Sequence, residues 1–306
     1  MISRRVGKEC ISVTLHELML LSKNTVKLSL SSSAFVQETR AGQHSSTHLG
    51  RGMEFSECRR YQGGDDIRSI DWRVTARTGK VHTKLFTEEK ERDVFICLDL
   101  CKSMFFASKG VFKSVQASLL AASVGWSAIK MGHSLGGLIV ENAHLHAFKP
   151  KPSKKGLLSF LQKTAEIEPP HGEIKKNDTI DKAIEKLRQM ATLGSLIFIL
   201  SDFRGLTSRG SDLIGELAQR SEVRLILISD WLERTFPKNG IFSVTDGKNV
   251  CQLNTFDNDC LEKYQKQFEE RRDFVSSMAR FPRVEFIECG TEDDCLEKLK
   301  TWMTFL

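Results

Sequence analysis

No apolar run in this chain of 306 residues is long enough to cross a bilayer, and the first ten residues are charged with no apolar segment behind them. Those absences argue against a helical membrane span and a secretory leader, so a soluble, cytoplasmic protein is expected. The eight cysteines, at 10, 58, 97, 101, 251, 260, 289 and 295, contain no C-x-x-C pair, which removes the common zinc and redox spacings. Several lie inside apolar runs, where a thiol behaves as a small hydrophobe, and reduced thiols again point to the cytosol. There is no internal repeat, no low-complexity linker and no collagen or coiled-coil pattern. With 40% hydrophobic and 27% charged residues, the composition is that of an ordinary folded protein of one large core or two domains. Net charge is +6, and residues 1 to 92 hold 16 Lys and Arg against 11 Asp and Glu, so most of the excess sits in the first third. Such a field is what a solvated surface carries, and nucleic acid is not the expected partner.

What is present is a set of short, nearly continuous apolar runs alternating with helical periodicity. Val94 to Asp99, Ser195 to Leu200 and Val223 to Ile228 read as strands buried on both faces, as in a parallel sheet. Phe112 to Lys130, Gly156 to Ala165, Thr179 to Met190, Leu213 to Arg220, Asp257 to Arg280 and Thr291 to Trp302 read as helices, the last capped by Thr291. Ser134 to Val140, Leu145 to Phe148 and Val284 to Ile287 add strands, and Lys149 to Lys155 reads as a basic loop. Ile241 to Val244 and Val250 to Leu253 form a hairpin about Asp246-Gly247. Ahead of these lie a short helix in Ser12 to Ser22, a strand at Val26 to Leu30 and a polar loop at Ser31 to Ser46. Strands alternating with helices predict a doubly wound α/β fold with a mostly parallel sheet over 93–306, preceded by an N-terminal arm over 1–92.

Gly132-His133-Ser134-Leu135-Gly136 matches the G-x-S-x-G nucleophile elbow, which needs a strand before its serine and a helix after. Here a helix precedes and an apolar strand follows. No histidine lies beyond His171 to complete a triad after an acid. Gly132 instead terminates a helix, and the paired glycines ease close packing.

The polar cluster Asp99, Cys101, Ser103 follows the first buried strand at once. In an open α/β sheet, ligands bind outside the carboxyl ends of the strands, and alternate spacing aims these three side chains at one point there. Ser103 capping a following helix is the bland alternative. Thr179 opens a later helix, and Asp202 sits at the tip of another buried strand. Strand ends on one edge converge, so Asp99, Ser103, Thr179 and Asp202 belong to one candidate site. Hydrogen bonding along a polar sheet edge, with Asp99 accepting from Ser103 and nearby amides, is its structural explanation.

This order resembles the metal-ion-dependent adhesion site of von Willebrand factor type A domains, an Asp-x-Ser-x-Ser loop with a downstream Thr and Asp. The resemblance implies Mg²⁺ held by Asp99, Ser103, Thr179 and Asp202, with Cys101 at a serine position, and a soft thiol there removes one hard-oxygen donor. The run Gly-Arg-Gly-Met-Glu-Phe at 50–55, then Arg-Tyr-Gln-Gly-Gly-Asp-Asp-Ile-Arg-Ser-Ile-Asp-Trp at 60–72, is similar to the bacterial family called domain of unknown function 58. In that arm, Gly63, Gly64, Asp65 and Asp66 form a turn signal, Ile67, Ile70 and Trp72 are expected to bury while Arg68, Asp71 and Arg73 pair around them, and Arg59, Arg60, Asp65, Asp66, Arg68, Asp71 and Trp72 are its candidate partner-binding residues. No histidine or activated nucleophile accompanies them. The family resemblance implies a non-catalytic protein-binding adaptor or assembly factor working with a MoxR-type AAA+ ATPase. A metal-dependent hydrolase, which would need a general base, and a nucleic-acid binder using Arg59, Arg60, Arg68, Arg73 and Lys84 are the alternatives.

Overall fold

A computed structural model describes residues 10–24, 53–88, 91–142, 144–169, 179–235, 240–245, 250–254 and 258–304. The expected strand at 26–30, the loop at 31–46 and the Asp246-Gly247 turn lie outside them. The chain divides into two compact units, one of residues 1–36 and 92–306, the other of 37–91. The stretch 1–92 therefore falls into two parts, the first of which groups with the sheet.

In chain order the elements are α1 (Leu15–Asn24), β1 (Met53–Arg60), α2 (Trp72–Thr78), β2 (His82–Glu88), β3 (Asp93–Asp99), α3 (Lys113–Lys130), β4 (Ser134–Glu141), β5 (His144–Lys151), α4 (Lys154–Glu166) and α5 (Thr179–Met190). There follow β6 (Leu196–Ser201), α6 (Ser208–Ala218), β7 (Glu222–Ser229), α7 (Trp231–Arg234), β8 (Ile241–Thr245), β9 (Val250–Asn254), α8 (Asn258–Ser276), β10 (Val284–Gly290) and α9 (Cys295–Thr304).

The larger unit is built on a six-stranded sheet of order β10-β7-β6-β3-β4-β5, in which only the β4–β5 pairing is antiparallel. β3 explains the two cores. Side chains on a strand alternate between faces, so Val94, Ile96 and Leu98 enter one apolar cluster while Phe95 and Cys97 enter the other. Residues of α1, α3, α4 and α9 complete the first cluster, and those of α5, α6 and α8 the second. This is the doubly wound, mostly parallel α/β fold that the sequence predicts.

The chain leaves β3 for one face and β6 for the other, although these two strands are neighbours. Their carboxyl ends therefore bound the crevice of a topological switch point, where ligands of open α/β sheets bind. α1 starts with a capping box, the Glu17 amide donating to Thr14 Oγ1 at 3.3 Å and the Thr14 amide to Glu17 Oε2 at 2.8 Å.

Several boundaries differ from those expected. β5 continues to Lys151 and α4 begins at Lys154, so most of the expected basic loop is regular structure. α6 begins at Ser208 rather than Leu213 because its first turn is polar and carries no apolar periodicity. α9 begins at Cys295, with the Asp294 carboxylate accepting from the Leu296 and Glu297 amides at 2.9 and 3.2 Å. Asp294, and not Thr291, is thus the cap. α3 ends as predicted, with Gly132 in the left-handed region at φ 80°. Ser134 follows that helix and opens β4 opposite Asp93, at the amino edge of the sheet, so the elbow-like motif has the reverse order of a nucleophile elbow.

In the smaller unit, β1 and β2 form an antiparallel ribbon. Ile67 and Trp72 are each 67% exposed, so the expected burial of this pair is not found. Asp66 accepts from the Arg68 amide, and Asp71 from the Arg73 and Val74 amides, so both acids cap short helical turns. The ion pairs found here among the described residues are Arg59 with Asp65 at 2.6 Å and Lys84 with Asp71 at 3.8 Å, so of the expected Arg68, Asp71 and Arg73 only Asp71 takes part.

Candidate functional site

Asp99 closes β3 at the switch point and is 3% exposed. Its Oδ1 accepts from the Cys101 amide at 2.9 Å, and its Oδ2 from Ser201 Oγ, at the end of β6, at 2.5 Å. Ser201 Oγ in turn accepts from the Phe203 amide at 2.8 Å, holding a buried phenylalanine at φ 53°. Burial, and then the negative charge of Asp202, push the Asp99 carboxyl above its ordinary value. Ser103 is not among Asp99's hydrogen-bond partners. It lies half-buried within a single 3-10 turn, Lys102–Met104, so the expected cap role is not taken up.

Asp202 is fully buried and meets a cation. Lys113, first residue of α3 and also 0% exposed, donates from Nζ to Asp202 Oδ2 at 2.8 Å and to Glu233 Oε1 at 2.9 Å. Arg204 Nη2 lies 2.7 Å from the same Glu233 oxygen and its Nε 3.5 Å from Asp202 Oδ2, while Arg271 Nη2 lies 3.9 Å from Glu233. The Arg204 amide donates to Asp202 Oδ1 at 3.1 Å. Burial alone would raise the Asp202 carboxyl, but the Lys113 ammonium and then Arg204 outweigh it and hold it at about 2. Three cationic side chains thus face two carboxylates, and the excess charge reaches solvent at Arg204, whose side chain is 51% exposed.

Glu233 is fixed from its other oxygen by a capping box at the start of α7, the Asp230 amide donating to Glu233 Oε2 at 3.2 Å. Asp230, at the end of β7, accepts from Ser108 Oγ at 2.5 Å, the Ser108 amide at 2.9 Å and Thr291 Oγ1 at 2.8 Å. The segment between β3 and α3 is fastened to the tips of β7 and β10 in this way. These donors hold the Asp230 carboxyl below its ordinary value against the opposing effect of burial.

Of the residues proposed from sequence, Asp99, Cys101, Ser103 and Asp202 lie at the carboxyl ends of the adjacent strands β3 and β6. Thr179 opens α5 and is buried, and Asp181, two residues on, accepts from the amide and hydroxyl of Thr207 at the start of α6, which puts the amino end of α5 on the same side of the sheet. Arg59, Arg60, Asp65, Asp66, Arg68, Asp71 and Trp72 all belong to the smaller unit.

Sequence reasoning missed Lys113, Ser201, Arg204, Glu233 and Arg271. One signal was available for Lys113. A lysine opening an Ala- and Leu-rich helix that has no acid in its first turn is the wrong charge for the helix dipole.

Mg²⁺ wants oxygen donors in strict octahedral geometry. The Asp202 carboxylate is engaged by an ammonium and an amide, that of Asp99 by an amide and a hydroxyl, and the second loop position is a thiol. Burial and then Asp99 push the Cys101 thiol up, so it stays protonated and a poor ligand. A divalent ion at Asp202 would have to sit beside Lys113, and the residues present do not fit one.

The uncharacterized protein Rv1480 of Mycobacterium tuberculosis is 27% identical over 208 residues, covering 68% of this chain and 65% of the relative. An uncharacterized protein of Mycobacterium bovis matches to the same extent, so the chain spans about two-thirds of the length of these curated relatives. Among solved structures, BatB from Bacteroides thetaiotaomicron is similar with a TM-score of 0.43 at 11% identity, over 70% of this chain and all of BatB. A von Willebrand factor type A protein from Catenulispora acidiphila gives 0.38 at 11% identity, over 72% of this chain and 44% of that one. Among the described residues no helix is long and apolar enough to cross a membrane. The family model described as protein of unknown function DUF58 matches residues 57–273, more than half of the chain, and the protein belongs to that family.

Proposed function

We propose that this chain is a non-catalytic protein-binding adaptor or assembly factor that meets its partner at the carboxyl rim of the sheet. The observation behind this reading is the state of the rim acids. Asp99, Asp202, Asp230 and Glu233 each hold structural hydrogen bonds or ion pairs, which ties them to shape and charge rather than to proton transfer. The half-exposed Arg204 guanidinium on that rim suits an acidic side chain on a partner. The family resemblance makes a MoxR-type AAA+ ATPase the partner to try, and among the described residues none of Cys10, Cys58, Cys97, Cys101, Cys289 and Cys295 is in a disulfide, which accords with a cytoplasmic setting.

The test is co-purification with the MoxR-type ATPase of the same organism, using wild type and Arg204→Glu, with and without Mg²⁺. Retention of the ATPase by wild type and its loss in Arg204→Glu supports the reading. Equal recovery by both proteins rejects it. Phosphoester turnover that disappears in Asp99→Ala would favour the hydrolase, and affinity for nucleic acid falling steeply with salt would favour the basic arm.

A further inference from the structure

We infer that the Lys113 ammonium is the resident cation of this rim, standing where a divalent ion would otherwise balance the acids. The inference concerns the site named in the proposal above, and it implies that partner binding there needs no metal.

Placing an ammonium at a fully buried position is unfavourable unless it is paired and hydrogen-bonded. The position is doubly unfavourable here, because the amino end of α3 already concentrates positive partial charge. What holds Lys113 is a pair of carboxylates brought from two different strand ends, Asp202 beyond β6 and Glu233 beyond β7, at 2.8 and 2.9 Å. Bridging two acids from separate elements is the job a bound metal does in a polar crevice, done here by a side chain. The neighbours fit that role. Arg204 adds a second positive charge to the same two acids, and Cys101 supplies no hard oxygen. Arg271 approaches Glu233 from α8 at 3.9 Å. A divalent ion at Asp202 would add to this positive charge without displacing any of it.

The full chain is titrated with Mg²⁺ and with Mn²⁺ by calorimetry, and its melting temperature is compared in EDTA, in either metal and in sodium chloride of equal ionic strength. The expected result is no saturable heat and no metal-specific shift. Lys113→Ser, which removes the ammonium and leaves its acids facing a small cavity, is expected to gain a saturable metal-dependent rise in melting temperature. Adding Asp202→Asn should abolish that gain.

Saturable Mn²⁺ binding by wild type that Asp202→Asn eliminates would overturn the inference. A folded Lys113→Ser chain whose melting ignores metal would do the same. Should Lys113→Ser not fold, wild type against Asp202→Asn decides alone: no wild-type binding, or binding that Asp202→Asn leaves intact, keeps metal away from Asp202 and supports the inference. None of these readouts involves the partner, so failure here is distinct from failure of the protein-binding reading.

Discussion

Lys113 is the side chain with the most at stake. Two carboxylates and two guanidiniums are arranged around its ammonium, and replacing a buried partner is costly chiefly because it strands the other charges. Lys113→Ala is therefore expected to lower stability by about 3–5 kcal/mol in urea denaturation, the range for breaking a buried ion pair. Lys113→Met should be the milder change, because it fills the space while removing the charge. Asp99 and Asp202 were legible from sequence, since an acid at the tip of an apolar run announces itself. Arg204 and Glu233 were not, because an Arg or a Glu just past a strand is ordinary at a surface. Only the convergence of β6, β7 and α3 makes them neighbours.

The paired glycines of β4 show sequence and packing agreeing at the scale of an element. A Cβ at Gly137 would run into the backbone carbonyl oxygen of Ile96 on β3, and one at Gly136 would lie 2.9 Å from the Pro150 nitrogen of β5. β4 lies between two strands at close approach, so neither neighbour can retreat. Gly137→Ala is expected to cost about 1–3 kcal/mol by thermal or urea unfolding, as overpacking does, while Gly132→Ala meets no crowding atom and should cost about 1–2 kcal/mol from backbone strain alone, because a side chain rarely adopts its φ of 80°. The helix–strand alternation was readable because buried parallel strands are apolar throughout and amphipathic helices keep their period. The starts of α6 and α9 were misplaced because caps and polar first turns leave no periodic trace. Burial of Ile67 and Trp72 was expected from their apolar chemistry, yet each lies in a short capped turn whose geometry is set by Asp66 and Asp71.

Across the whole molecule the ionised carboxylates govern the response to acid. Asp202 is held at about 2 against an ordinary 3.8, so its contribution is present above 3.8 and is lost as pH falls from there toward 2. Asp230, also lowered, acts in the same direction. Asp99, raised by burial and by Asp202, has the opposite sign: its contribution favours the fold at low pH and fades as pH rises through its folded value. Melting temperature followed by circular dichroism should fall through the Asp202 window in wild type. The slope should be shallower in Asp202→Asn, which starts from a lower plateau, and an equal slope in the two proteins would remove Asp202 from the account.

The sequence by itself determined the doubly wound sheet, the edge on which its polar tips gather and the family, because apolar period, strand-end acids and the Gly-Gly-Asp-Asp segment are local signals. Tertiary structure alone decided what occupies that edge. Whether two acids share a metal or a lysine depends on which side chain from a distant helix reaches them. Lys113 lies 89 residues from Asp202 and 120 from Glu233 along the chain, and only folding brings its ammonium between them.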